Sequence, residues 1–171
     1  MNERKGVITF KDGPLTLIGP ELKVGQKAPD AALTANDMSE VRLSSFAGKI
    51  VILSCVPSLD TPVCDIQTHK FNEKAGQMGK DVVILTVSMD LPFAQKRWCG
   101  AAGVEYVKTL SDYKDARFAI SYGLLIKELH LVARAVIVLD KQQIIRYIQV
   151  VPEVTTEPDY GAVLEAVKGL S

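Results

Sequence analysis

Hydrophobic and polar positions alternate at the start of the chain and then change period. Val7-Ile8-Thr9-Phe10 and Leu15-Thr16-Leu17-Ile18 are short β-rich runs on either side of Lys11-Asp12-Gly13-Pro14. Asp12-Gly13 between two such runs predicts a β-hairpin within residues 1–20. Residues 28–45 are mixed and predict irregular chain with one short strand. Ile50-Val51-Ile52-Leu53-Ser54-Cys55 is almost continuously apolar, as in a strand buried on both faces, and residues 81–88 read the same way. Between them, residues 61–78 predict a helix. Residues 91–102 predict a second, with Pro92 in its first turn and Gly103 just past its end. Ser111 or Asp112 can cap a third helix that reaches Tyr122, with Gly123 as its stop. Residues 133–139 and 144–151 predict strands joined at Asp140-Lys141, and residues 158–167 a last helix.

Strands alternating with helices, then a late hairpin and a closing helix, predict one three-layer α/β domain over residues 1–171. A β-α-β-α core followed by a β-hairpin and a helix is the element order of thioredoxin-like folds. That analogy says little about chemistry.

Composition narrows the function classes. The chain has 171 residues, 47% of them apolar and 23% charged, the balance of a globular domain with a core of its own. Twenty basic side chains cancel twenty acidic ones, which leaves no electrostatic case for a nucleic-acid or anionic-membrane partner. Met1-Asn2-Glu3-Arg4-Lys5-Gly6 has no apolar run behind it, unlike a secretory signal, and no apolar stretch is long enough for a membrane span. A cytoplasmic location is therefore expected, where disulfides are mostly transient and catalytic. Three cysteines cannot all pair within one chain, which suits a redox pair plus a spare.

The chemistry concentrates in Val56-Pro57-Ser58-Leu59-Asp60-Thr61-Pro62-Val63-Cys64, which leaves the C-terminal end of a buried strand. Thr61 is a good N-cap, Pro62 then falls at the first helical position, and Cys64 at the third. A capping box puts Glu or Gln there, because free N–H groups and the helix dipole favour an anion. Here a thiol takes the anion's place. An ordinary cysteine is only about 3% thiolate at pH 7, and the thiolate is the form that attacks peroxide. The competing reading makes Cys64 a small apolar residue on the helix's inner face.

A peroxide must also be held and its leaving oxygen stabilised. Thr61 can turn its hydroxyl toward both the sulfur and a bound peroxide. Arg134, in Val132-Ala133-Arg134-Ala135-Val136, is the candidate cation, because a buried arginine needs an anion to face. Its alternative is an edge position with the guanidinium in water. A sulfenic acid formed at Cys64 would need a second thiol, and Cys99 in Arg97-Trp98-Cys99-Gly100 is the candidate. Both cysteines start in helices, so joining them needs local unwinding, which Gly100 and Gly103 ease. Cys99 packing quietly beside Trp98 is the other reading.

Pro57-x-x-x-Thr61-x-x-Cys64 resembles the active-site pattern of the peroxiredoxins, and the full string from Pro57 to Cys64 is similar to their thiol peroxidase branch. Ser88-Met89-Asp90-Leu91-Pro92, Trp98-Cys99-Gly100-Ala101, Ala133-Arg134-Ala135-Val136 and Thr156-Glu157-Pro158-Asp159-Tyr160 agree, so the resemblance spans nearly the whole chain. It implies a thioredoxin-like fold with an N-terminal β-hairpin extension, and peroxidase activity on hydrogen peroxide and organic hydroperoxides. It also implies that Cys64 is the peroxidatic cysteine and Cys99 the resolving cysteine of the same subunit, joined transiently as a disulfide. Thr61 and Arg134 would activate the sulfur and orient the peroxide, and Pro57 would shield the thiolate. Thioredoxin as reductant, a homodimer, and no metal or flavin cofactor follow from the same resemblance.

Cys55 has no place in that pattern and reads as a core thiol. His69, five residues after Cys64, lies roughly 140° round the helix and so faces away from it. Cysteines and histidines this far apart lack metal-ligand spacing. A thioredoxin-type oxidoreductase would carry a cysteine where Thr61 stands. A peroxide-sensing relay protein using the same two cysteines is the alternative function.

Overall fold

The computed structural model describes residues 2–103 and 106–170. In chain order the elements are β1 (Glu3–Phe10), β2 (Gly13–Ile18), β3 (Ala32–Thr34), β4 (Glu40–Arg42), a 3-10 turn (Leu43–Phe46), β5 (Ile50–Cys55), α1 (Pro62–Ala75), β6 (Val82–Ser88), α2 (Pro92–Ala102), β7 (Val107–Ser111), α3 (Arg117–Ser121), β8 (Leu125–Ile126), β9 (Leu131–Val132), β10 (Ala135–Leu139), β11 (Ile145–Val150) and α4 (Tyr160–Lys168). They make a seven-stranded sheet in the order β11-β10-β5-β6-β7-β3-β4 and a four-stranded sheet in the order β1-β2-β8-β9.

The two apolar runs become the parallel neighbours β5 and β6, and period-2 alternation divides their side chains between two cores. Ile50 and Ile52, with Ile84, Val136 and Val138, meet Phe71 of α1 and Val163 and Val167 of α4. Val51, Leu53 and Cys55, with Leu85, Val87 and Ile137, face the other way, onto Phe118 and Ala119 of α3 and Leu17 and Ile126 of the small sheet. The result is three layers, as the element order predicts. Each such aliphatic side chain, fully buried, contributes about 1.5–3 kcal/mol, so burial on both faces holds the strand that ends at the site.

Several details differ from the sequence reading. The hairpin turns on Lys11 and Asp12, both at positive φ (49° and 68°), while Gly13 already pairs with Phe10. The turn therefore sits one residue earlier than Asp12-Gly13. Residues 28–45 hold two short strands, not one, and β7, β8 and β9 carry no strand signal in the sequence. The third helix is only Arg117–Ser121, because Ala116 adopts φ 55° and breaks the run from Asp112. Asp112 still serves it, its two carboxylate oxygens accepting from the Phe118 and Ala119 N–H groups. The second helix ends as expected, with Gly103 at φ 69° and its N–H on the Cys99 carbonyl.

Candidate active site

The chain leaves β5, crosses Val56 to Thr61 and enters α1. Asp90, just past β6, fixes that crossing: it accepts from the Ser58 hydroxyl at 2.7 Å and from the Leu59 N–H at 2.8 Å. Thr61 stands at the N-cap in extended conformation and Pro62 follows at the first helical position. The Thr61 hydroxyl does not cap the helix. It donates to the Ser58 carbonyl at 3.0 Å, which is a correction to the expected contact with the sulfur. Cys64 lies in the first turn and is fully buried, packed with Val56, Leu59 and Trp98.

Arg134 precedes β10 and is 2% exposed. Its edge position in water is thereby ruled out. Nε donates to the Val154 carbonyl at 2.7 Å, Nη1 to Gln67 Oε1 at 2.9 Å, and Nη2 to Cys64 Sγ at 3.2 Å. Among the described residues no carboxylate forms an ion pair with this guanidinium, and Glu157 acts on it only at longer range. A buried cation without an anion is costly, and the sulfur is the one contacting atom that can carry compensating charge as a thiolate. Gln67 lies one turn beyond Cys64 on the same helix face. Its amide nitrogen donates to the buried Ser54 hydroxyl at 2.8 Å, which turns its oxygen to the arginine.

Pro57, Thr61 and Arg134 line an apolar pocket of about 570 Å³, together with Pro62 and Val63. Phe10 and Lys11 at the hairpin tip, Leu129, Leu131, Val154 and Thr155 complete its lining. Glu153 ties these parts together. Its carboxylate accepts from Thr155 Oγ1 and N–H, from the Asp12 N–H and from Thr9 Oγ1. Those bonds, Thr155's first, hold its pKa down at about 2.

Cys99 lies elsewhere. Its Sγ is 3.4 Å from Thr109 Oγ1 on β7, and Thr109 donates in turn to Asn36 Oδ1. Trp98, the preceding residue, faces α1 instead and donates from Nε1 to Asp65 Oδ1 at 2.9 Å. All three cysteines are free, so no bond joins Cys64 to Cys99. Cys55 points into the core on the opposite face of the sheet. Burial, with a smaller contribution from Asp112, pushes its thiol far above the ordinary cysteine range. His69 approaches Asp65 and Trp98.

Residues 23–164 match the Redoxin family. The chain is 53% identical over 161 residues to the thiol peroxidase of Halalkalibacterium halodurans, covering 94% of this chain and 96% of that one. It is 50% identical over 163 residues to the thiol peroxidase of Bacillus subtilis, covering 95% and 97%. The chain belongs to the peroxiredoxins, in their thiol peroxidase branch. Solved structures agree on the fold: a peroxiredoxin-like protein from Aquifex aeolicus superposes with a TM-score of 0.91 at 42% identity over 97% of this chain and 98% of that one. A thiol peroxidase from Chromobacterium violaceum superposes at 0.85 with 18% identity, covering 95% of each. This membership makes the protein a thiol-dependent peroxidase.

Several of this peroxiredoxin's site residues go unnoticed in its sequence. Gln67 was open to detection, three residues past Cys64 on one helix face. Ser54 and Asp90 reach the site only through strand pairing, and Val154 contributes a carbonyl that any residue would supply. Among the described residues no helix is long and apolar enough to cross a membrane.

Proposed function

We propose that this thiol peroxidase reduces hydroperoxides at Cys64 and resolves the product with Cys99. The observation that carries the reading is the Arg134 Nη2 contact to Cys64 Sγ, made by a buried guanidinium that has no carboxylate ion-pair partner among the described residues. A hydroperoxide enters the pocket beside Pro57 and Thr61. The Cys64 thiolate attacks its terminal oxygen, the O–O bond breaks, and the alkoxide leaves as the alcohol after taking a proton. Cys64 is now a sulfenic acid. Arg134 stabilises the negative charge as it passes from sulfur to the leaving oxygen, Thr61 orients the peroxide, and Pro57 keeps water from the sulfur. Apolar walls favour an alkyl hydroperoxide over hydrogen peroxide.

Cys99 then attacks the Cys64 sulfur; its proton joins the departing hydroxide as water, and a Cys64–Cys99 disulfide remains. Thioredoxin returns both thiols. The enzyme works as a homodimer in the cytoplasm, where that reductant is at hand. Peptide mapping under non-reducing conditions, after one equivalent of an organic hydroperoxide, tests the assignment. A Cys64–Cys99 cross-linked peptide with Cys55 free supports it. Sulfinic acid at Cys64 alone removes Cys99 from the mechanism, and unreacted cysteines remove the mechanism itself.

A further inference from the structure

Trp98 and Cys99 are consecutive on α2, so their side chains leave the helix about 100° apart. Trp98 takes the direction of α1: its ring packs against Val56, Leu59 and Cys64, and its Nε1 donates to Asp65 Oδ1. Cys99 takes the direction of β7, onto Thr109. Cys99 cannot turn to Cys64 unless the end of α2 unwinds or rotates, and either movement withdraws Trp98 from the place it fills. The docked tryptophan and the attacking cysteine are mutually exclusive. The start of α2 is pinned separately, since the fully buried Gln95 donates from Nε2 to the Ser88 hydroxyl and the Leu110 carbonyl. The part that must move is therefore short and carries both residues.

We propose that the Asp65–Trp98 hydrogen bond is a latch that holds Cys99 away and sets how the Cys64 sulfenic acid divides between disulfide and over-oxidation. Asp65 and Trp98 are positioning residues, acting through Cys99. This rests on the assignment of Cys64 and Cys99 above. From one sulfenic acid, Cys99 gives disulfide and water, whereas a second peroxide gives sulfinic acid and alcohol. The ratio of the two products is independent of how fast the sulfenic acid formed. The latch slows only the first branch.

The test treats the reduced full chain with graded cumene hydroperoxide and quantifies Cys64–Cys99 disulfide against Cys64 sulfinic acid by mass spectrometry. Trp98→Phe keeps a ring and loses the N–H; Asp65→Ala removes the acceptor. Each is expected to raise the peroxide concentration at which half the Cys64 becomes sulfinic acid by about fivefold, the scale of one ordinary hydrogen bond. The double variant should add little to either, and Asp65→Asn, whose amide oxygen still accepts, should stay within about twofold of the parent. Trp98→Phe indistinguishable from the parent, or a shift with Asp65→Ala alone, overturns the latch. A parent chain that forms no Cys64–Cys99 disulfide at any dose overturns the underlying assignment instead.

Discussion

Gln67 and Ser54 orient the arginine together: the Gln67 amide nitrogen donates to the Ser54 hydroxyl, so the amide oxygen accepts from Arg134 Nη1. Both residues are fully buried, so neither bond can be replaced by solvent. Gln67→Leu leaves one buried guanidinium donor unpaired. It should destabilise the chain by about 1–3 kcal/mol and lower peroxide turnover by roughly tenfold through misdirection of Nη2. Ser54→Ala, which leaves the Gln67 oxygen in place, should cost turnover far less. Urea denaturation and steady-state assays read the two effects separately, and equal losses of turnover would contradict this arrangement.

Glu153 predicts an acid limb to stability. Its carboxylate is held at about 2 against an ordinary 4.5, chiefly by Thr155. A depressed carboxylate stabilises the folded state fully above the unfolded value, and that stability is lost as pH falls from about 4.5 toward 2. Glu153→Gln should flatten denaturant midpoints over that window. It should also loosen the hairpin tip, raising KM for a bulky hydroperoxide more than for hydrogen peroxide.

Asp112 has the opposite sign. It is 3% exposed, and burial pushes its carboxyl up to about 6 from 3.8 despite the bonds from Phe118 and Ala119. Its contribution is fully present below the unfolded value and is lost as pH rises through the folded one. Stability should therefore decline between about pH 4 and 6 on this account. Asp112→Asn should remove that slope, measured as the change in urea midpoint with pH.

Cys55 is predicted to be a bystander. Its thiol is fully buried, faces away from α1 and stays protonated. Cys55→Ala should leave peroxide turnover within about twofold while costing on the order of 1–2 kcal/mol for the small cavity. Alkylation of the folded chain should spare Cys55, and a turnover loss beyond tenfold in the variant would give it a role this geometry denies.

Elements whose signal is local were legible in the sequence. Thr61-Pro62-Val63-Cys64 announced a helix start with a thiol in its first turn, and Arg134 stood out because an arginine between small residues in an apolar strand must find an anion. Strands whose stability comes from distant partners were not. β7 buries Thr109 and Ser111, polar residues that give no strand signal until Asn36 and the Asp90 carbonyl satisfy them, and Ser111, a candidate helix cap by sequence, ends the strand instead. β8 and β9 are two residues each and exist through pairing with β2 and with each other. The direction of Cys99 was likewise hidden, since helix phase places it relative to Trp98 but only packing decides which of the two faces α1. The Thr61 hydroxyl followed a local competitor, the Ser58 carbonyl, that its N-cap position does not reveal.

If Arg134 activates Cys64, its loss should show in the rate constant of the first oxidation step, before Cys99 or a reductant takes part. The reduced chain and its Arg134→Gln variant are mixed with limiting cumene hydroperoxide, quenched at short times, and scored for oxidised Cys64, with circular dichroism confirming the fold. We expect a fall of at least about a hundredfold, the scale of losing one aligned donor at a developing charge. Arg134→Lys should fall nearly as far, because an ammonium cannot bond the sulfur, Gln67 and Val154 at once with the fixed guanidinium geometry. A folded Arg134→Gln enzyme that reacts within about threefold of the parent would contradict the account.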